Sequence, residues 1–309
     1  MRISITDDYQ NVIKDLACFT LLDEHDVTII NEYIENEDEL VVALDNPDAI
    51  VLNRTRTKIT ESLLSRLPNL KAISQTGKNA GHIDVKACAK YGVKILEGRG
   101  DPVATAELTW LLIMNGLRLL PQAISGMKRG NWQINIGRRI KGKKIGIWSY
   151  GRIGKLVASY ARAFGADVIV WGSKNSVTLA KKEGFQIADS KGDFFQTCDV
   201  ISIHLRLSPS TRGIIKKDDL MSMKPDALFV NTSRAGLVDS GSLLESLKLG
   251  RPGYAALDVF EDEPIFDQLH ALLQMPNVIC TPHLGYVEME SFELYFSIAF
   301  QNLVDFFSS

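Results

Sequence analysis

Short apolar runs alternate with amphipathic runs along the whole chain. In its first third, the apolar runs predict five strands, at residues 2–6, 27–31, 49–52, 71–75 and 93–96. The amphipathic runs between them predict helices near residues 11–17, 36–43, 60–66 and 84–91. Because strands that alternate with helices pair in parallel through right-handed crossovers, this part of the chain is expected to form one α/β unit.

A long apolar helix is predicted next. Asp101 is a favourable N-cap residue, and Pro102 suits a first helical turn because its missing N–H needs no partner there. Residues 103–120 are apolar on nearly every face, which is typical of a helix buried on several sides, either between domains or between subunits. Pro121 and the turn signal at residues 130–131 mark where this helix weakens and ends.

The second half of the chain repeats the alternation from Lys143 onward. Apolar runs predict six strands, at residues 144–149, 167–171, 200–204, 227–231, 254–258 and 277–281. Helical patterns lie near residues 152–164, 177–183, 217–221, 240–249 and 288–307. The whole pattern predicts an α/β protein of two doubly wound parallel-sheet domains, Rossmann-like or flavodoxin-like, with a cleft between them.

Composition and charge are those of an ordinary globular chain. The 309 residues include 35 Lys+Arg and 37 Asp+Glu, which gives a formal net charge of −2. This balance argues against a nucleic-acid or membrane-surface binder, because both need a basic surplus. The N-terminus is typical of a strand rather than of a signal peptide. The longest apolar stretch, residues 108–116, is far shorter than a membrane span of about 20 residues. We therefore expect a soluble cytoplasmic protein.

Cysteine and histidine spacing predicts neither a disulfide framework nor a metal site. The four cysteines, at positions 18, 88, 198 and 280, form no C-x-x-C pair, and no H-E-x-x-H pattern occurs. The thiols are therefore expected to be reduced and buried.

The segment from Lys143 to Gly154 predicts a phosphate-binding turn between a strand and a helix. Gly151 would let the backbone approach a pyrophosphate, and Gly154 would let the helix pack against the strand. The usual fingerprint is G-x-G-x-x-G, and Ser149 stands here in place of its first glycine, so the turn alone is also compatible with an ordinary strand–helix connection. The residues expected to face the anion are Ser149, Tyr150, Gly151, Arg152 and Ile153.

The end of the next strand predicts which dinucleotide binds. An acid there would bind the ribose 2′-hydroxyl of NAD, but the sequence has Gly172, Ser173 and Lys174 and no carboxylate. Free space, a hydroxyl group and a positive charge suit a 2′-phosphate better, which favours NADP(H) over NAD(H). The alternative is that Lys174 is a solvated loop residue and that NAD is simply bound less tightly.

Three reactive side chains follow later strands. Arg234 lies in N-T-S-R, Glu263 in D-V-F-E-D-E-P and His283 in T-P-H. In a doubly wound sheet, ligands bind beyond the carboxyl ends of the strands, and these three side chains are expected to converge there. Each of them alone has an ordinary interpretation, as a surface ion-pair partner, a solvated turn or a loop cap. Their joint occurrence favours a catalytic site.

These motifs, in this order and spacing, resemble those of the D-isomer-specific 2-hydroxyacid dehydrogenase family, and the resemblance covers nearly the whole chain. It implies that Arg234, Glu263 and His283 are the catalytic residues of an NAD(P)-dependent oxidoreductase. It also implies a dinucleotide-binding domain, residues 99–286, inserted into a substrate-binding domain of residues 1–98 and 287–309. The family is usually dimeric, so a homodimer is expected.

The resemblance implies hydride transfer between a nicotinamide cofactor and a small 2-keto acid or D-2-hydroxy acid, such as glyoxylate or hydroxypyruvate. Arg234 has a planar fork of donors that can hold a carboxylate and polarise a carbonyl group. His283 can donate the proton that a developing alkoxide needs. Glu263, if hydrogen-bonded to His283, would orient the ring and stabilise its charged form.

Further residues match family positions around the cofactor. The resemblance places Thr105, His204, Thr232 and Asp258 near it. A structural role is as plausible for His204, and Thr105 and Asp258 also have ordinary interpretations as a first-turn helix residue and a strand-end cap. Arg206 stands where the family commonly has proline.

The substrate side is expected at residues 74–84, which match a glycine-rich loop whose amides receive the substrate carboxylate in the family. Lys78 and Asn79 stand there in place of small residues, and Lys78 either adds charge to the anion site or points to solvent. Arg54 matches a position that faces the cleft. Arg56 adds a second cation, which suggests a substrate with a second acidic group unless these arginines pair with acids of their own domain.

Two other functions stay open for this fold. A dinucleotide-sensing, corepressor-like interaction protein would keep the three reactive residues but would not turn over 2-keto acids. A formate dehydrogenase is disfavoured, because that branch usually has Gln where Glu263 stands.

Overall fold

The chain divides into two compact units. The computed structural model describes residues 1–79 and 81–308. One unit comprises Met1–Asp101 and Val287–Ser309, and the other comprises Pro102–Tyr286. The first junction therefore lies after Asp101 rather than after residue 98. The substrate-binding and dinucleotide-binding roles of the two units stay predictions.

The first unit is built on a five-stranded parallel sheet with the order β2-β1-β3-β4-β5. Its strands are β1 (Arg2–Ile5), β2 (Asp26–Ile29), β3 (Ala49–Leu52), β4 (Ala72–Gln75) and β5 (Lys94–Glu97). Strands β3 and β4 are buried along their whole length. Their unbroken apolar runs are therefore those of interior strands with both faces covered.

Three helices of this unit begin at side-chain N-caps. They are α1 (Glu37–Leu44), α2 (Glu61–Ser65) and α3 (Val85–Lys90). The capping side chains of Asn36, Thr60 and Asp84 each accept a backbone N–H of the first turn. Such caps satisfy amides that have no partner inside the helix and fix where each helix begins.

The C-terminal helix, Met289–Ser308, belongs to the first unit. Ser74 of β4 donates a hydrogen bond to the carbonyl group of Ala299 (2.8 Å). The Glu293 carboxylate accepts the amides of Ala17 and Cys18, at 2.9 and 2.7 Å. Residues from the two ends of the chain thus pack in one unit. The buried face of this helix consists of Ser291, Phe292, Tyr295, Phe296, Ala299, Phe300 and Leu303.

The α-helix predicted near residues 11–17 is wrong. Two short 3-10 helices, Ile13–Asp15 and Ala17–Leu22, occupy this region. The carboxylate of Asp8 accepts the amides of Val12 and Ile13, at the start of the first one, both at 3.1 Å. Leu16 is extended between them, with φ −69° and ψ 139°. The local hydrogen bonds therefore replace the continuous ladder that an α-helix needs.

The second unit is built on a seven-stranded parallel sheet with the order β12-β11-β10-β9-β6-β7-β8. Its two halves wind outward in opposite directions from the neighbours β6 and β9, which makes their carboxyl ends the expected place for a ligand. The predicted α/β class with two parallel sheets is thereby confirmed. The strands are β6 (Lys144–Trp148), β7 (Asp167–Trp171), β8 (Gln186–Ile187), β9 (Val200–Ile203), β10 (Leu228–Asn231), β11 (Tyr254–Leu257) and β12 (Val278–Cys280).

The helices of the second unit cover both faces of this sheet. They are α4 (Val103–Arg118), α5 (Leu120–Lys128), α6 (Arg152–Ala163), α7 (Lys174–Lys182), α8 (Lys191–Thr197), α9 (Lys217–Ser222) and α10 (Ser242–Lys248), and the C-terminal helix is α11. The sequence pattern predicts neither β8 nor α8. Strand β8 has only 2 residues, and the buried side chains of α8 are the adjacent Phe194 and Phe195, so neither element shows a hydrophobic period.

The long apolar helix is interrupted next to Pro121, the residue at which the sequence pattern predicts that this helix weakens. Leu119 is left-handed, with φ 51° and ψ 39°, and the chain restarts as α5 with Pro121 in its first turn. Proline cannot donate the hydrogen bond that would continue α4. The prediction that Asp101 is the N-cap of α4 is wrong, because Pro102 occupies that position. The Asp101 amide donates instead to the Tyr295 hydroxyl (3.1 Å).

Among the described residues, no single helix is long and apolar enough to cross a bilayer. Helices α4 and α5 reach that length and apolarity only as a pair, and they are bent by 64° at their junction.

Candidate active site

Strand β6 ends in a tight turn that leads into α6. Ser149 occupies this turn with φ 81°, in the left-handed region that favours glycine. A side chain at Gly154 would place its Cβ 2.2 Å from the Ser149 carbonyl oxygen, so only glycine fits there. At Gly151 the nearest atom to such a Cβ would be Ser149 Oγ, at 3.9 Å. The turn therefore leaves space in front of the first amides of α6, where an anion can bind.

Neighbouring groups hold the turn in place. The Ser149 amide donates to the carbonyl group of Trp171 (2.8 Å), and the Tyr150 amide donates to Ser176 Oγ (3.2 Å). The Tyr150 hydroxyl is directed at Glu183, to which it donates at 2.6 Å. Burial and Glu183 together raise the pKa of Tyr150. Both donors of Tyr150 are thus used inside the protein, so this residue positions the turn.

The residues after β7 begin α7. Ser173 Oγ accepts the amide of Ser176 (3.3 Å) and is the N-cap of this helix. Lys174 is the first helical residue and is exposed. Ser173 therefore has a structural role beside its predicted one, and Lys174 presents its charge to solvent at the end of β7.

His204 follows β9 on the other side of the turn. Its Nε2 lies 2.9 Å from Ser202 Oγ, while its Nδ1 is buried with no hydrogen-bond partner among the described residues. Burial lowers the pKa of His204 to about 3, so the ring is neutral. Buried polar atoms normally have partners, and a ligand is one way to supply them. This nitrogen therefore fits the predicted place of His204 beside a cofactor.

Asp258, which follows β11, organises the loop after β12. It is fully buried, and its two carboxylate oxygens accept Thr281 Oγ1 (2.6 Å), the Leu284 amide (2.7 Å) and the Gly285 amide (2.9 Å). Burial raises the pKa of Asp258 although these hydrogen bonds oppose it. Thr105 of α4 donates to the Gly285 carbonyl group of the same loop (2.6 Å). Asp258 and Thr105 thus both fix residues 281–285.

His283 lies in this loop with φ 53° and meets Glu263. His283 Nδ1 is 2.6 Å from Glu263 Oε2, and Glu263 Oε1 accepts the Phe260 amide at 2.8 Å. Burial acts to raise the pKa of Glu263, but the hydrogen bond and charge of His283, with help from Arg234, lower it overall. An ionised Glu263 accepts from Nδ1–H, which leaves Nε2 of His283 for a ligand.

Arg234 lies beyond β10, next to the other two residues in the sheet order. Its Nη1 donates to the Ser233 carbonyl group (2.6 Å), and its own carbonyl accepts Asn231 Nδ2 (3.0 Å). Ser233 Oγ donates to Ile203 O of β9 (2.9 Å). Thr232 is turned to the core, where its hydroxyl lies 2.7 Å from that of Thr109. The structure thus brings Glu263 and His283 into contact and places the Arg234 charge within range of Glu263.

In the first unit, Arg54 lies beside the predicted loop of residues 74–84 and beside Tyr295, which the sequence does not predict there. Arg54 has φ 66°, and its carbonyl group accepts Gln75 Nε2 at 2.5 Å. Its guanidinium lies 5.5 Å from the ring centre of Tyr295, and a Cβ at Gly77 would come within 2.8 Å of Nη1. Burial and the Arg54 charge lower the pKa of His82 to about 4. A polar residue at the end of an apolar strand, as at Gln75, is the signal that could have pointed to this cluster.

The remaining predicted substrate residues are also in this unit. Lys78 is exposed, while the Asn79 amide donates to a glutamate of β5 (2.9 Å). The guanidinium of Arg56 lies 4.8 Å from the ring centre of Tyr9. Ala80, in the same predicted loop, is outside the described residues. The structure thus assigns Asn79 a part in the loop conformation and leaves Lys78 at the surface.

A cavity of about 620 Å³ in the second unit lies away from all of these residues. It is lined by Arg118, Gln133, Asn135, Ile136, Gly137, Arg138 and Arg139, none of which is a predicted site residue. In the part of the chain that the structure describes, no group of three or more His, Cys, Asp or Glu side chains is arranged to hold a metal ion.

Comparison with known proteins agrees with the motifs. The model of the D-isomer specific 2-hydroxyacid dehydrogenase NAD-binding domain matches residues 110–285. The chain is 33% identical over 269 residues to a hydroxypyruvate reductase of Thermotoga maritima, covering 86% of each chain. The solved structure of a phosphoglycerate oxidoreductase from Vibrio cholerae O395 superposes with a TM-score of 0.96 at 50% identity, covering 100% of this chain and 99% of that one.

The chain belongs to the D-isomer-specific 2-hydroxyacid dehydrogenase family, which confirms the resemblance seen in its motifs. It is also 35% identical over 252 residues to a D-3-phosphoglycerate dehydrogenase of Methanocaldococcus jannaschii. That alignment covers 81% of this chain but 48% of the relative, so the chain spans about half the length of the curated D-3-phosphoglycerate dehydrogenases that it matches.

The left-handed backbone of Ser149 predicts that glycine is preferred at this position. Ser149→Gly should raise the free energy of unfolding by about 0.5–1 kcal/mol, because a non-glycine residue in this region is strained. The measurement is urea denaturation followed by circular dichroism. Ser159→Gly, the same change inside α6, is the control and should lower stability by about 0.5–1 kcal/mol. Equal losses from both changes would contradict strain at Ser149.

The role of Asp258 predicts that its neutral isostere is damaging. Asp258→Asn would place an NH₂ group against a backbone N–H, at Leu284 or Gly285, and should cost about 1–3 kcal/mol of unfolding free energy. Asp262→Asn, an exposed change in the segment that follows, should leave the stability unchanged. If Asp258→Asn were as stable as the control, these hydrogen bonds would not be what fixes the loop.

Proposed function

We propose that this protein is an NAD(P)-dependent D-2-hydroxyacid dehydrogenase that acts on a small 2-keto acid or D-2-hydroxy acid, such as glyoxylate or hydroxypyruvate. The observation that carries the proposal is the 2.6 Å contact between His283 Nδ1 and Glu263 Oε2, in a loop fixed by buried Asp258. A histidine held by a carboxylate on one nitrogen has its other nitrogen positioned for proton transfer. The relatives named for hydroxypyruvate and phosphoglycerate support this class of substrate.

Arg234 binds and polarises the substrate in this proposal. Its backbone is fixed by Asn231, and its guanidinium lies within electrostatic range of Glu263. A guanidinium offers parallel N–H donors to a carboxylate and keeps its charge at any working pH. Arg234 therefore holds the substrate carboxylate and draws electron density toward the 2-keto oxygen.

His283 moves the proton. As the keto carbon is reduced, its oxygen takes on alkoxide character and needs a proton, which Nε2 of an imidazolium His283 can donate. In the oxidising direction the neutral ring removes the hydroxyl proton. Glu263 stabilises the imidazolium and keeps the ring from rotating, because it accepts from Nδ1 and is itself held by the Phe260 amide.

The second unit fits a nicotinamide dinucleotide, which supplies or accepts the hydride when it is bound. Two structural features fit it: the space before the α6 amides, and His204 Nδ1, which has no hydrogen-bond partner within residues 1–79 and 81–308. The proposed contacts are those predicted from the sequence: Ser149, Tyr150, Gly151, Arg152, Ile153, Gly172, Ser173, Lys174, His204, Thr232, Asp258 and Thr105. We infer a preference for NADP(H), because β7 is followed by Lys174 rather than by an acid.

The substrate residues proposed in the first unit are Arg54, Lys78 and Asn79. Arg54 is favoured because its backbone is held by Gln75 and its guanidinium is stacked over Tyr295, so that its position is fixed. With Arg56 on the same loop, this unit carries two nearby arginines, which suits a substrate with a second acidic group. The cytoplasmic location stays a prediction from the sequence.

The direct test is a spectrophotometric assay at 340 nm with NADPH and NADH against a panel of 2-keto acids. Loss of absorbance with glyoxylate, hydroxypyruvate or a phosphorylated 2-keto acid is the expected result, faster with NADPH. Tight cofactor binding without turnover of any 2-keto acid would contradict the enzyme and favour a dinucleotide-sensing protein. A clear preference for NADH would contradict the proposed cofactor.

The catalytic roles predict a specific pattern of losses. His283→Ala should lower kcat by about 10²–10⁴-fold, since it removes a positioned proton donor, while the affinity for NADPH measured by fluorescence stays the same. Arg234→Ala should lower kcat and also raise KM, since it removes a substrate contact. Glu263→Gln should lower kcat and alter its pH profile, whereas the matched change Glu261→Gln should do neither. Unchanged turnover in His283→Ala would refute the mechanism.

An apolar face of the second unit supports the expected homodimer. Its exposed side chains come from α4, from α5 and from the segment after α5, and Ile134 of that segment packs beside Gly126 of α5. Several exposed apolar side chains close together in the chain are typical of a surface that contacts another protein. We name as the apolar face the residues Leu111, Leu120, Ile124, Met127, Trp132, Ile134 and Ile136.

If a second copy covers the apolar face, charges placed there should separate the subunits. The double change Met127→Asp and Ile136→Asp is expected to convert a dimer to a monomer in sedimentation velocity, because these side chains are 65% and 94% exposed in the single chain. Val42→Asp, at a 78% exposed apolar position of the first unit, is the control and should remain dimeric. A wild-type protein that sediments as a monomer would rule out this contact.

A further inference from the structure

Arg206 lies on one side of the phosphate-binding turn, and Lys174 lies on the other. Strands β7 and β9 both pair with β6, where Trp148 is opposite Trp171 and Ile203. The residues that follow these two strands therefore leave the sheet on either side of the turn at the end of β6. Neighbouring strands are about 4.8 Å apart, so the ends of β7 and β9 are separated by about 10 Å. One long cationic side chain from each loop can approach the same anion across this distance.

The loop of Arg206 is fixed by its own hydrogen bonds. The Thr211 hydroxyl donates to the Arg206 carbonyl group (2.7 Å) and accepts the Ser208 amide (2.8 Å). Leu205 and Leu207 are partly buried against the same core as Trp171, whereas Arg206 between them is exposed. Because its neighbours on both sides are partly buried, the Arg206 side chain is directed away from that core. Because the backbone of the loop is already ordered, binding a ligand through Arg206 costs less conformational entropy.

Arg206 and Lys174 carry two positive charges, three residues beyond the ends of β9 and β7. None of the ion pairs formed by the described residues includes either side chain. The residues around Lys174, from 172 to 176, contain no carboxylate. Two cations beside a turn that suits phosphate create a local positive potential in a chain of net charge −2. Such a potential favours a ligand that carries a further phosphate at this position.

We infer that Arg206 is a specificity-determining residue, which acts with Lys174 to bind the 2′-phosphate of NADP(H). Arg206 supplies paired N–H donors that match a phosphate, and Lys174 supplies a point charge at the start of α7. The inference rests on the proposed dinucleotide function and deepens its cofactor preference. It also gives a physical role to the arginine that replaces a proline common in the family, since proline has no donor to offer.

The alternative role for Arg206 is to stack on the adenine ring. An arginine plane can pack on an aromatic base, and this contact would be the same for NAD(H) and NADP(H). The two roles differ in one measurable quantity, the contribution of Arg206 to the affinity difference between ligands with and without a 2′-phosphate.

The test uses two probes that differ only in that group, adenosine 5′-monophosphate and adenosine 2′,5′-bisphosphate, with binding measured by isothermal titration calorimetry. The wild-type protein should bind the bisphosphate about 10-fold or more tightly than the monophosphate. Arg206→Ala should remove most of this difference without changing the affinity for the monophosphate, and Arg206→Lys should keep part of it. Lys174→Ala should remove the smaller part of the affinity difference that Arg206→Ala leaves. The control Lys182→Ala, at the other end of α7, should change neither affinity.

Each contrary outcome has a distinct meaning. If Arg206→Ala weakens both probes equally, Arg206 contacts the adenosine moiety and the inference is wrong. If the wild-type protein binds both probes equally, the cofactor preference and the inference fail together, while turnover of 2-keto acids with NADH would leave the enzyme proposal standing. If neither probe binds and no turnover is seen, the proposed dinucleotide function itself is wrong.

Discussion

The candidate site depends on a single buried carboxylate that is satisfied by the loop it holds. Asp258 ends β11, and its oxygens accept one hydroxyl and two amides from the loop after β12. Removing a carboxylate from water costs free energy, and burial raises the pKa of Asp258 accordingly. The three hydrogen bonds offset part of this cost. The same hydrogen bonds hold the loop so that His283 keeps a left-handed backbone conformation, which is strained for a residue other than glycine.

The sheet order explains why residues far apart in sequence act together. Arg234, Glu263 and His283 follow β10, β11 and β12, which are direct neighbours in the seven-stranded sheet. All strands are parallel, so the three loops emerge at the same edge. The turn with Ser149 and the loops at Gly172 and His204 emerge at the same edge from β6, β7 and β9. The proposed reaction and the proposed cofactor contacts are therefore consequences of one topology.

The sequence was sufficient for the parts of the structure that arise from regular patterns. Alternating strands and helices predict both sheets. The motifs around Arg234, Glu263 and His283 predict the site residues, and the structure brings Glu263 and His283 into contact. Other features were not predicted. The Asp8 carboxylate accepts two amides of its own segment, and two short 3-10 helices form where an α-helix was expected. Pro121 predicts that the apolar helix weakens, but the left-handed conformation of Leu119, which ends α4, is not predicted. The hydrogen bonds of Asp258 and the cluster around Arg54 require loops from separate strands to meet, which no local pattern predicts.

The charge distribution links the two ligands that we propose. A net charge of −2 gives no overall attraction for anions, yet both a 2-keto acid and a dinucleotide are anionic. Attraction must then be local, and cations do follow several strands of the second unit at its ligand edge: Arg152 after β6, Lys174 after β7, Arg206 after β9 and Arg234 after β10. Each lies a few residues beyond its strand, where the field of one charge falls off within a Debye length of about 8 Å at physiological salt. Different parts of a ligand would thus be recognised by different arginines and lysines, so that specificity for the cofactor and for the substrate can change independently, one loop at a time.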